Sequence, residues 1–286
     1  MKRALILTIF VVVAFVASAQ DKTKSTTPAE TPATPVVVAP ATPATPATPA
    51  TPAAPVAPKT DSVPTPSTEK ATEEVVSIPK TDWLTAFSRV KVDGPMNVVL
   101  KKVATAEECR ITYDTKGNIT SKFKFEVDKK GVLVVSEKYD PKRTSVTDIT
   151  IYYNSLREVK IAHAKAVFEN EVDANIFDLI VSGGAMVSLD IKTLDIAVEC
   201  TGVSRLTMKG STKYLTMRAS TAKIDCTELS LVSATIDASH SAEVRLTVTE
   251  RLEATTSTGA KLLYKGKPTI LRDHTVVFGG EIININ

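Results

Sequence analysis

The stretch that decides the fold is Ser182-Gly-Gly-Ala-Met-Val187, because five further versions of it occur between Ala162 and Leu262. Each version places a small residue before a turn, polar in all but the one that begins with Ala162, and then a small residue and an aliphatic residue after it. The other versions read Ala162-His-Ala-Lys-Ala-Val167, Thr201-Gly-Val-Ser-Arg-Leu206, Ser220-Thr-Ala-Lys-Ile224, Ser239-His-Ser-Ala-Glu-Val244 and Ser257-Thr-Gly-Ala-Lys-Leu262. Their closing aliphatic residues lie 20, 19, 18, 20 and 18 residues apart. A short period of this kind indicates a solenoid.

Apolar residues occupy every second position on both sides of each turn, as in Phe177, Leu179 and Val181 before one turn and Val187 and Leu189 after it. A period of two indicates strands with one buried face. Two strands joined by a turn every 18–20 residues predict an all-β fold, a parallel β-helix, with the closing aliphatic residues pointing inward. These predicted core residues are Val187, Leu206, Ile224, Val244 and Leu262. Alanines are expected to fill a second column, Ala185, Ala222, Ala242 and Ala260, which Lys165 would break in the first version.

An antiparallel β-sandwich is the competing interpretation of the same alternation. Its hairpins need not repeat one turn at a fixed spacing, so the sixfold turn favours the solenoid.

The regular coils span residues 162–268, and β-like sequence flanks them on both sides. Residues 81–161 are expected to be out of register with the repeat and to form a β-rich cap and first coils. Within them, Phe123, Phe125 and Val127 lead through a Lys-Lys-Gly turn to Leu133 and Val135, which predicts a hairpin. Residues 269–286, with Val276, Phe278, Ile282 and Ile283, are expected to form a C-terminal cap.

The beginning of the chain predicts export. Lys2 and Arg3 precede an apolar run from Ala4 to Val16, and Ala17-Ser-Ala19 offers a cleavage site, so residues 1–19 are expected to be a signal peptide. The apolar run is too short to favour an uncleaved membrane anchor. No second long apolar run follows, so no transmembrane span is expected after cleavage.

Residues 20–80 hold 13 of the 16 prolines, together with abundant Ala and Thr, and none of the 11 glycines. Such a segment cannot bury enough apolar surface to offset the entropy of ordering, so a disordered Pro/Thr/Ala-rich spacer is predicted. The remaining residues, 81–286, suit one domain. They contain 28 Lys and Arg against 26 Asp and Glu, a balance that gives no reason to expect nucleic acid as a partner.

The repeated phrases resemble the coils of a bacterial family, the putative auto-transporter adhesin, head GIN domain. The resemblance rests on Ser182-Gly-Gly-Ala-Met-Val187 and Ser257-Thr-Gly-Ala-Lys-Leu262, on the opening Val90-Lys-Val-Asp-Gly-Pro-Met-Asn-Val-Val-Leu100 and on the closing Tyr264-Lys-Gly-Lys-Pro268. It covers about residues 87–270. It implies an exported β-helical protein with an adhesive role and no catalytic residues to transfer. Only a short tail follows the solenoid, whereas an auto-transporter carries a membrane barrel there.

Neither the histidines nor the acidic residues form a recognisable site. His163 and His240 are predicted in one column of the turn, four coils and about 19 Å apart at strand spacing, too far to share a metal. Asp190, Asp195, Asp225 and Asp237 fall in different columns and form no acidic ladder. Arg205, Lys223 and Lys261 share an outward column that Glu243 interrupts and Met186 ends, which is typical of a solvated face.

The three cysteines are Cys109, Cys200 and Cys226. Cys200 and Cys226 are both predicted inward, in neighbouring coils. They are interpreted as buried apolar residues, with a disulfide between them as the alternative that export would permit.

The sequence therefore predicts an exported, non-enzymatic β-solenoid that acts as a binding or adhesion module of the cell envelope or surface. The expected partner is a glycan, a surface polymer or an envelope protein, and no cofactor, metal ligand or catalytic residue is predicted. A polysaccharide-active β-helix enzyme (a lyase or glycoside hydrolase) and a passive structural envelope protein are the alternatives. The periplasm, the outer-membrane surface and the medium all remain open as locations, as does the oligomeric state.

Overall fold

The computed structural model describes residues 78–117, 122–143, 145–275 and 279–286. The predicted signal peptide and residues 20–77 of the predicted spacer lie outside the described residues. The described part is built from β-strands and one 3-10 turn, Ala106–Glu108, and it contains no α-helix. It accordingly holds no helix long and apolar enough to cross a bilayer.

Within the described residues, seventeen strands form one hydrogen-bonded sheet that winds into a β-solenoid of about 6 turns. In chain order they are β1 (Lys80–Trp83), β2 (Arg89–Asp93), β3 (Met96–Lys102), β4 (Arg110–Asp114), β5 (Phe123–Val127), β6 (Val132–Glu137), β7 (Thr147–Tyr153), β8 (Glu158–Ala162), β9 (Lys165–Phe168), β10 (Val172–Ser182), β11 (Met186–Thr201), β12 (Arg205–Ser220), β13 (Lys223–Ser239), β14 (Glu243–Thr256), β15 (Lys261–Lys265), β16 (Ile270–Thr275) and β17 (Glu281–Asn284).

The sheet has two walls that meet at two corners. Wall A consists of the segments that precede the repeated turn, which we call the first corner, and wall B consists of those that follow it. The long strands β11 to β14 each begin in wall B and end in wall A. Along β11, burial alternates until Leu194 and Asp195, which are both exposed. Two consecutive outward side chains mark a bend, and we call this bend and its equivalents the second corner.

Parallel pairing stacks the predicted core residues in one column of wall B. Val187 pairs with Leu206, Leu206 with Ile224, Ile224 with Val244, and Val244 with Leu262. Each of the five is at most 4% exposed. Each coil pairs in parallel with the next one, which is the arrangement of a solenoid. The alternative of an antiparallel β-sandwich is therefore wrong.

The first version of the repeat is shifted by one residue from its predicted alignment. Ala166, not Val167, pairs with Val187, and Val167 faces solvent with 39% exposure. Ala164 is buried at the position equivalent to Ala185, so the expectation that Lys165 breaks the alanine column is wrong. The shift arises because this corner turns through a single left-handed residue, His163, whereas the next corner uses both Gly183 and Gly184.

Residues 81–161 are also closer to the repeat than the sequence indicated. Strand β2 lies between β6 and β8, and β3 lies between β7 and β9, all in parallel register. The expectation that this stretch is out of register is therefore wrong for these strands. The coil formed by β2 and β3 comes first in the chain but is the second parallel layer of the stack, because β6 and β7 stack on its outer side.

Antiparallel strands cover the N-terminal end of the solenoid. Strand β5 pairs with β6 in the predicted hairpin, which is confirmed, and β4 pairs with both β7 and β1. At the other end, β16 and β17 pair in parallel with β14 and β15 and so extend both walls. Ile282 packs against the core and Ile283 is exposed, while Val276 and Phe278 lie outside the described residues.

Candidate functional site

The histidines of the first corner are separate surface residues. Nδ1 of His163 lies 3.1 Å from a carboxylate oxygen of Asp93. Nδ1 of His240 lies 3.1 Å from the hydroxyl of Ser239 and 3.4 Å from that of Ser220. Across the described ranges, no three His, Cys, Asp or Glu side chains are grouped as a metal site would require.

The carboxylates singled out from the sequence are not brought together. Asp190 faces Lys209 at 3.6 Å, and Asp225 accepts hydrogen bonds from the hydroxyl and the backbone N–H of Thr227. The Thr227 hydroxyl, above all, holds the pKa of Asp225 below its usual value. Asp195 lies at the second corner and Asp237 in wall A, each in a different column. A glycosidase acid needs a carboxyl with a raised pKa, and Asp225 is shifted in the opposite direction.

All three cysteines are buried free thiols in the structure. Burial raises the pKa of Cys200 to about 12. Burial, with smaller contributions from Asp225 and Cys200, also raises the pKa of Cys226. Thiols in this state are poor nucleophiles, since the thiolate is the reactive form. A Cys200–Cys226 disulfide stays a prediction, which counting free thiols in denaturant without reductant decides.

A shallow groove crosses wall B where the sequence placed a cationic column. Arg205, Lys223, Glu243 and Lys261 do share one column, in that order. The groove has a volume of about 330 Å³ and is lined by Arg205, Leu206, Thr207, Lys223, Ile224, Asp225, Glu243 and Arg245. Glu243 pairs with Arg245 at 2.6 Å. Interleaved charges of both signs are what a solvated face carries.

A larger cavity, of about 620 Å³, lies at the N-terminal end, and we call it the end pocket. Strand β4 supplies Tyr113 and strand β5 supplies Phe123 and Phe125. The centres of their rings are 5.0, 5.4 and 5.8 Å apart, and all three pairs are tilted. These separations are those of favourable aromatic contacts. The three rings therefore form a continuous apolar surface beside the cavity.

Polar groups surround this aromatic surface. Lys80, Lys124, Glu126, Val134 and Ser136 complete the lining of the end pocket. Lys80, Lys124 and Glu126 are exposed, so their charged groups remain hydrated at the rim. Burial, followed by the charge of Asp82 and a hydrogen bond to it, raises the pKa of Tyr113. Its neutral hydroxyl donates its hydrogen bond to Asp82.

The sequence did not reveal the end pocket. Phe123 and Phe125 were recognised only as one side of a hairpin, and Tyr113 was not singled out. Because Phe123 and Phe125 alternate with Lys124, the sequence shows that the two rings lie on one face of β5. It does not show that β4, in the opposite wall, places Tyr113 against them. That contact depends on the antiparallel pairing of β4 with β7.

The fold and its surface can now be compared with known proteins. The family model described as "Putative auto-transporter adhesin, head GIN domain" matches residues 86–268. This chain belongs to that family. The match agrees with the extent of the resemblance found in the sequence and includes every residue that lines the end pocket except Lys80. None of the curated proteins compared with the chain matches it.

Solved structures show the same head GIN fold. A putative adhesin from Bacteroides fragilis NCTC 9343 is 18% identical, with a TM-score of 0.64, covering 73% of this chain and 96% of its own. A putative adhesin from Parabacteroides distasonis ATCC 8503 is 16% identical, with a TM-score of 0.59 and the same two coverages. A protein described as a putative lipid binding protein, also from Parabacteroides distasonis, is 15% identical, with a TM-score of 0.56 over 73% of this chain and 97% of its own. At these identities the likeness concerns the fold alone. The family's description as a putative adhesin fits a surface-binding module.

Proposed function

We propose that this chain is an exported, non-enzymatic binding module that attaches to a glycan or another surface polymer at the cell envelope. The family membership and the predicted signal peptide support a place outside the cytoplasm, and the rigid solenoid supports a role as a scaffold for binding. The periplasm, the outer-membrane surface and the medium are the candidate locations. Digestion of intact cells with protease distinguishes them, since only a surface-exposed solenoid is cleaved.

The end pocket is the observation that carries this proposal. Its volume of about 620 Å³ lies within the roughly 300–1,000 Å³ of typical ligand sites. Tyr113 and Phe125 are half-buried and Phe123 is buried beside them. Dispersion attraction favours packing the C–H faces of a sugar ring against Tyr113 and Phe125. Lys80, which pairs with Tyr113, can hydrogen-bond to sugar hydroxyls or carboxylates on the aromatic side. Aromatic rings together with convergent polar groups are features of ligand sites.

Titration of a panel of bacterial and host polysaccharides into the purified protein tests the proposal. Binding to at least one glycan is expected, and Phe125→Ala is expected to weaken it about tenfold or more by removing one aromatic face. Tyr139→Ala is the matched control, because Tyr139 is 75% exposed and does not line the pocket. Equal binding by the wild type and Phe125→Ala would remove the end pocket from the proposal.

Phe125 also packs against the core, so its replacement can change stability as well as binding. The rim variant Lys80→Ser avoids this problem, because the Lys80 side chain is exposed. It is expected to weaken binding without lowering the melting temperature. If the chain bound an envelope protein and no glycan, the proposed ligand would be wrong but the proposed role as a binding module would stand. New reducing ends on incubation with a polysaccharide would instead favour the enzyme alternative.

A further inference from the structure

Two aromatic and two basic side chains alternate along the outer face of wall B near its N-terminal end, where β4 and β1 extend the wall. Trp83 pairs with Arg110, Arg110 with Tyr152, and Tyr152 with Lys101, so the four side chains stand in one column. We call these four residues the aromatic strip. Neighbouring strands lie about 4.8 Å apart, so the strip is roughly 14 Å long.

Trp83 is the most exposed member of the aromatic strip. It is the only tryptophan of the chain, and 68% of its surface is exposed. A single exposed apolar side chain is common and needs no explanation. Trp83, however, lies beside a second aromatic residue and an arginine, and Trp, Tyr and Arg are the residues that most often dominate binding energy. The strip is therefore a candidate contact surface.

The guanidinium group of Arg110 is held between the two rings. Its central carbon lies 3.8 Å from the ring centre of Tyr152 and 5.6 Å from that of Trp83. A guanidinium stacked on a ring keeps its N–H groups at its edge, where they can bind an anion. One of them donates a hydrogen bond to the backbone carbonyl of Glu108 at 3.2 Å.

Arg110 is also the cation of the strip that lacks a carboxylate partner. Lys101 forms an ion pair with Glu169 at 2.7 Å. None of the ion pairs among the described residues involves Arg110. A half-buried, oriented guanidinium beside an exposed ring is complementary to a ligand that carries both a flat apolar face and a carboxylate.

Hydroxyl groups line the strip on one side. Thr81, Thr112 and Thr150 form the neighbouring column on the same outer face, in parallel with the strip. The hydroxyl oxygens of Thr81 and Thr112 lie 3.0 Å apart. A surface that enters a membrane surrounds its aromatic residues with further apolar ones, so these threonines argue against lipid and for a ligand rich in hydroxyls.

We propose that the aromatic strip binds an acidic glycan, in which a sugar ring packs on Trp83 and the carboxylate of a uronic acid residue pairs with Arg110. The inference rests on the proposed glycan-binding function and adds to it a ligand class and a contact surface outside the end pocket. The carboxylate accepts hydrogen bonds from the free N–H groups of Arg110, and the threonine hydroxyls bond to sugar hydroxyls beside the strip.

Tryptophan fluorescence of the purified full-length protein tests the proposal directly, because Trp83 is its only tryptophan. The probes are oligosaccharides of galacturonate, of mannuronate and of hyaluronan, and their uncharged methyl esters are the matched control ligands. At least one acid is expected to give a saturable change in emission, with its ester binding about tenfold more weakly. Unchanged emission with all three acids, or equal binding of acid and ester, would overturn the proposal.

Isothermal titration calorimetry of two variants separates the roles of the ring and the charge. Trp83→Ala is expected to weaken binding of acid and ester alike, by about tenfold, without lowering the melting temperature, because Trp83 is exposed. Arg110→Gln should weaken binding of the acid to the level of its ester and leave the ester unaffected. Arg218→Gln is the control, since Arg218 is exposed on wall A. Equal losses of acid and ester binding in Arg110→Gln would contradict the charge pairing.

Phe125→Ala distinguishes the aromatic strip from the end pocket. Glycan binding that leaves the emission unchanged and is lost in Phe125→Ala would support the end pocket and exclude the strip. Binding that changes the emission and persists in Phe125→Ala would support the strip and exclude the end pocket. Association with anionic lipid vesicles that Trp83→Ala abolishes, without binding of any acidic oligosaccharide, would identify a lipid surface as the ligand and contradict the glycan.

Discussion

At the scale of single residues, the fold depends on which way each side chain points. Lys223 and Ile224 are adjacent in the chain, yet Lys223 is exposed and Ile224 is 2% exposed. This alternation could be predicted from the sequence because period two is a local property of a strand. The one-residue error at Val167 shows its limit, since alternation gives no information on how many residues a corner consumes.

Ile224→Asp is expected to unfold the domain, and Lys223→Asp is expected to leave its melting temperature nearly unchanged. A carboxylate at position 224 would lose its hydration inside the core, at a cost of several kcal/mol. An exposed substitution usually changes the free energy of unfolding by less than about 0.5 kcal/mol. Thermal unfolding followed by circular dichroism measures both effects. Equal losses from the two changes would contradict the inside–outside assignment.

At the scale of elements, the corners and the order of the strands could be predicted only in part. The repeated phrase located the first corner through its regular spacing and its small residues. Glycine alone would not have located it, because the left-handed positions also hold His163, Thr221 and Thr258. The placement of β2 and β3 between β6/β7 and β8/β9 could not be read from the sequence, since strands in one parallel stack carry similar alternation. The end pocket was missed for the same reason, because Tyr113 meets Phe123 only after the walls have formed.

Gly94 and Gly131 provide a test of this strand order. Gly94 has φ +130°, and a Cβ built there would lie 2.1 Å from the carbonyl oxygen of Glu137 at the end of β6. Gly131 has φ +69° and no heavy atom within 4 Å of such a Cβ. Gly94→Ala should therefore cost about 3 kcal/mol of the free energy of unfolding, from backbone strain and overpacking together. Gly131→Ala should cost about 1 kcal/mol, from strain alone.

Urea titration of both variants measures these costs. Equal costs at the two positions would contradict the close stacking of β6 on the corner at Gly94. If β6 were stacked elsewhere, the backbone of Glu137 would not lie against Gly94, and Gly94→Ala would cause no clash with it. The comparison therefore tests the order of the strands as well as the local geometry.

At the scale of the whole molecule, the two ends of the solenoid are built differently. The N-terminal end has antiparallel strands, an aromatic cluster and a buried ion pair, in which Arg143 lies 2.9 Å from Glu137 and Thr147 donates a hydrogen bond to the same carboxylate. At the C-terminal end, Leu271 occupies the column of the buried Leu252 but is 47% exposed. Among the described strands, β16 pairs with β14 alone and β17 with β15 alone.

This asymmetry predicts the pattern of native-state hydrogen exchange. Solenoid layers contact only their neighbours, so a terminal layer can open while the rest stays folded. The amides of β16 and β17 should therefore exchange fastest, and those of β12 and β13, which have neighbours on both sides, should exchange slowest. Strands β6 and β7 are the outermost parallel layer at the other end, but β5 and β4 pair with their outer edges. The chain also enters this layer from β3 by way of β4 and β5 and leaves it for β8 beyond the β2/β3 coil. Opening that layer disturbs three coils, and its amides should be protected more than those of β16 and β17.

Leu271→Asp should speed exchange in β16 and β17 while leaving exchange in β6 and β7 unchanged. Equal exchange at both ends of the wild type would contradict the interleaved N-terminal coil.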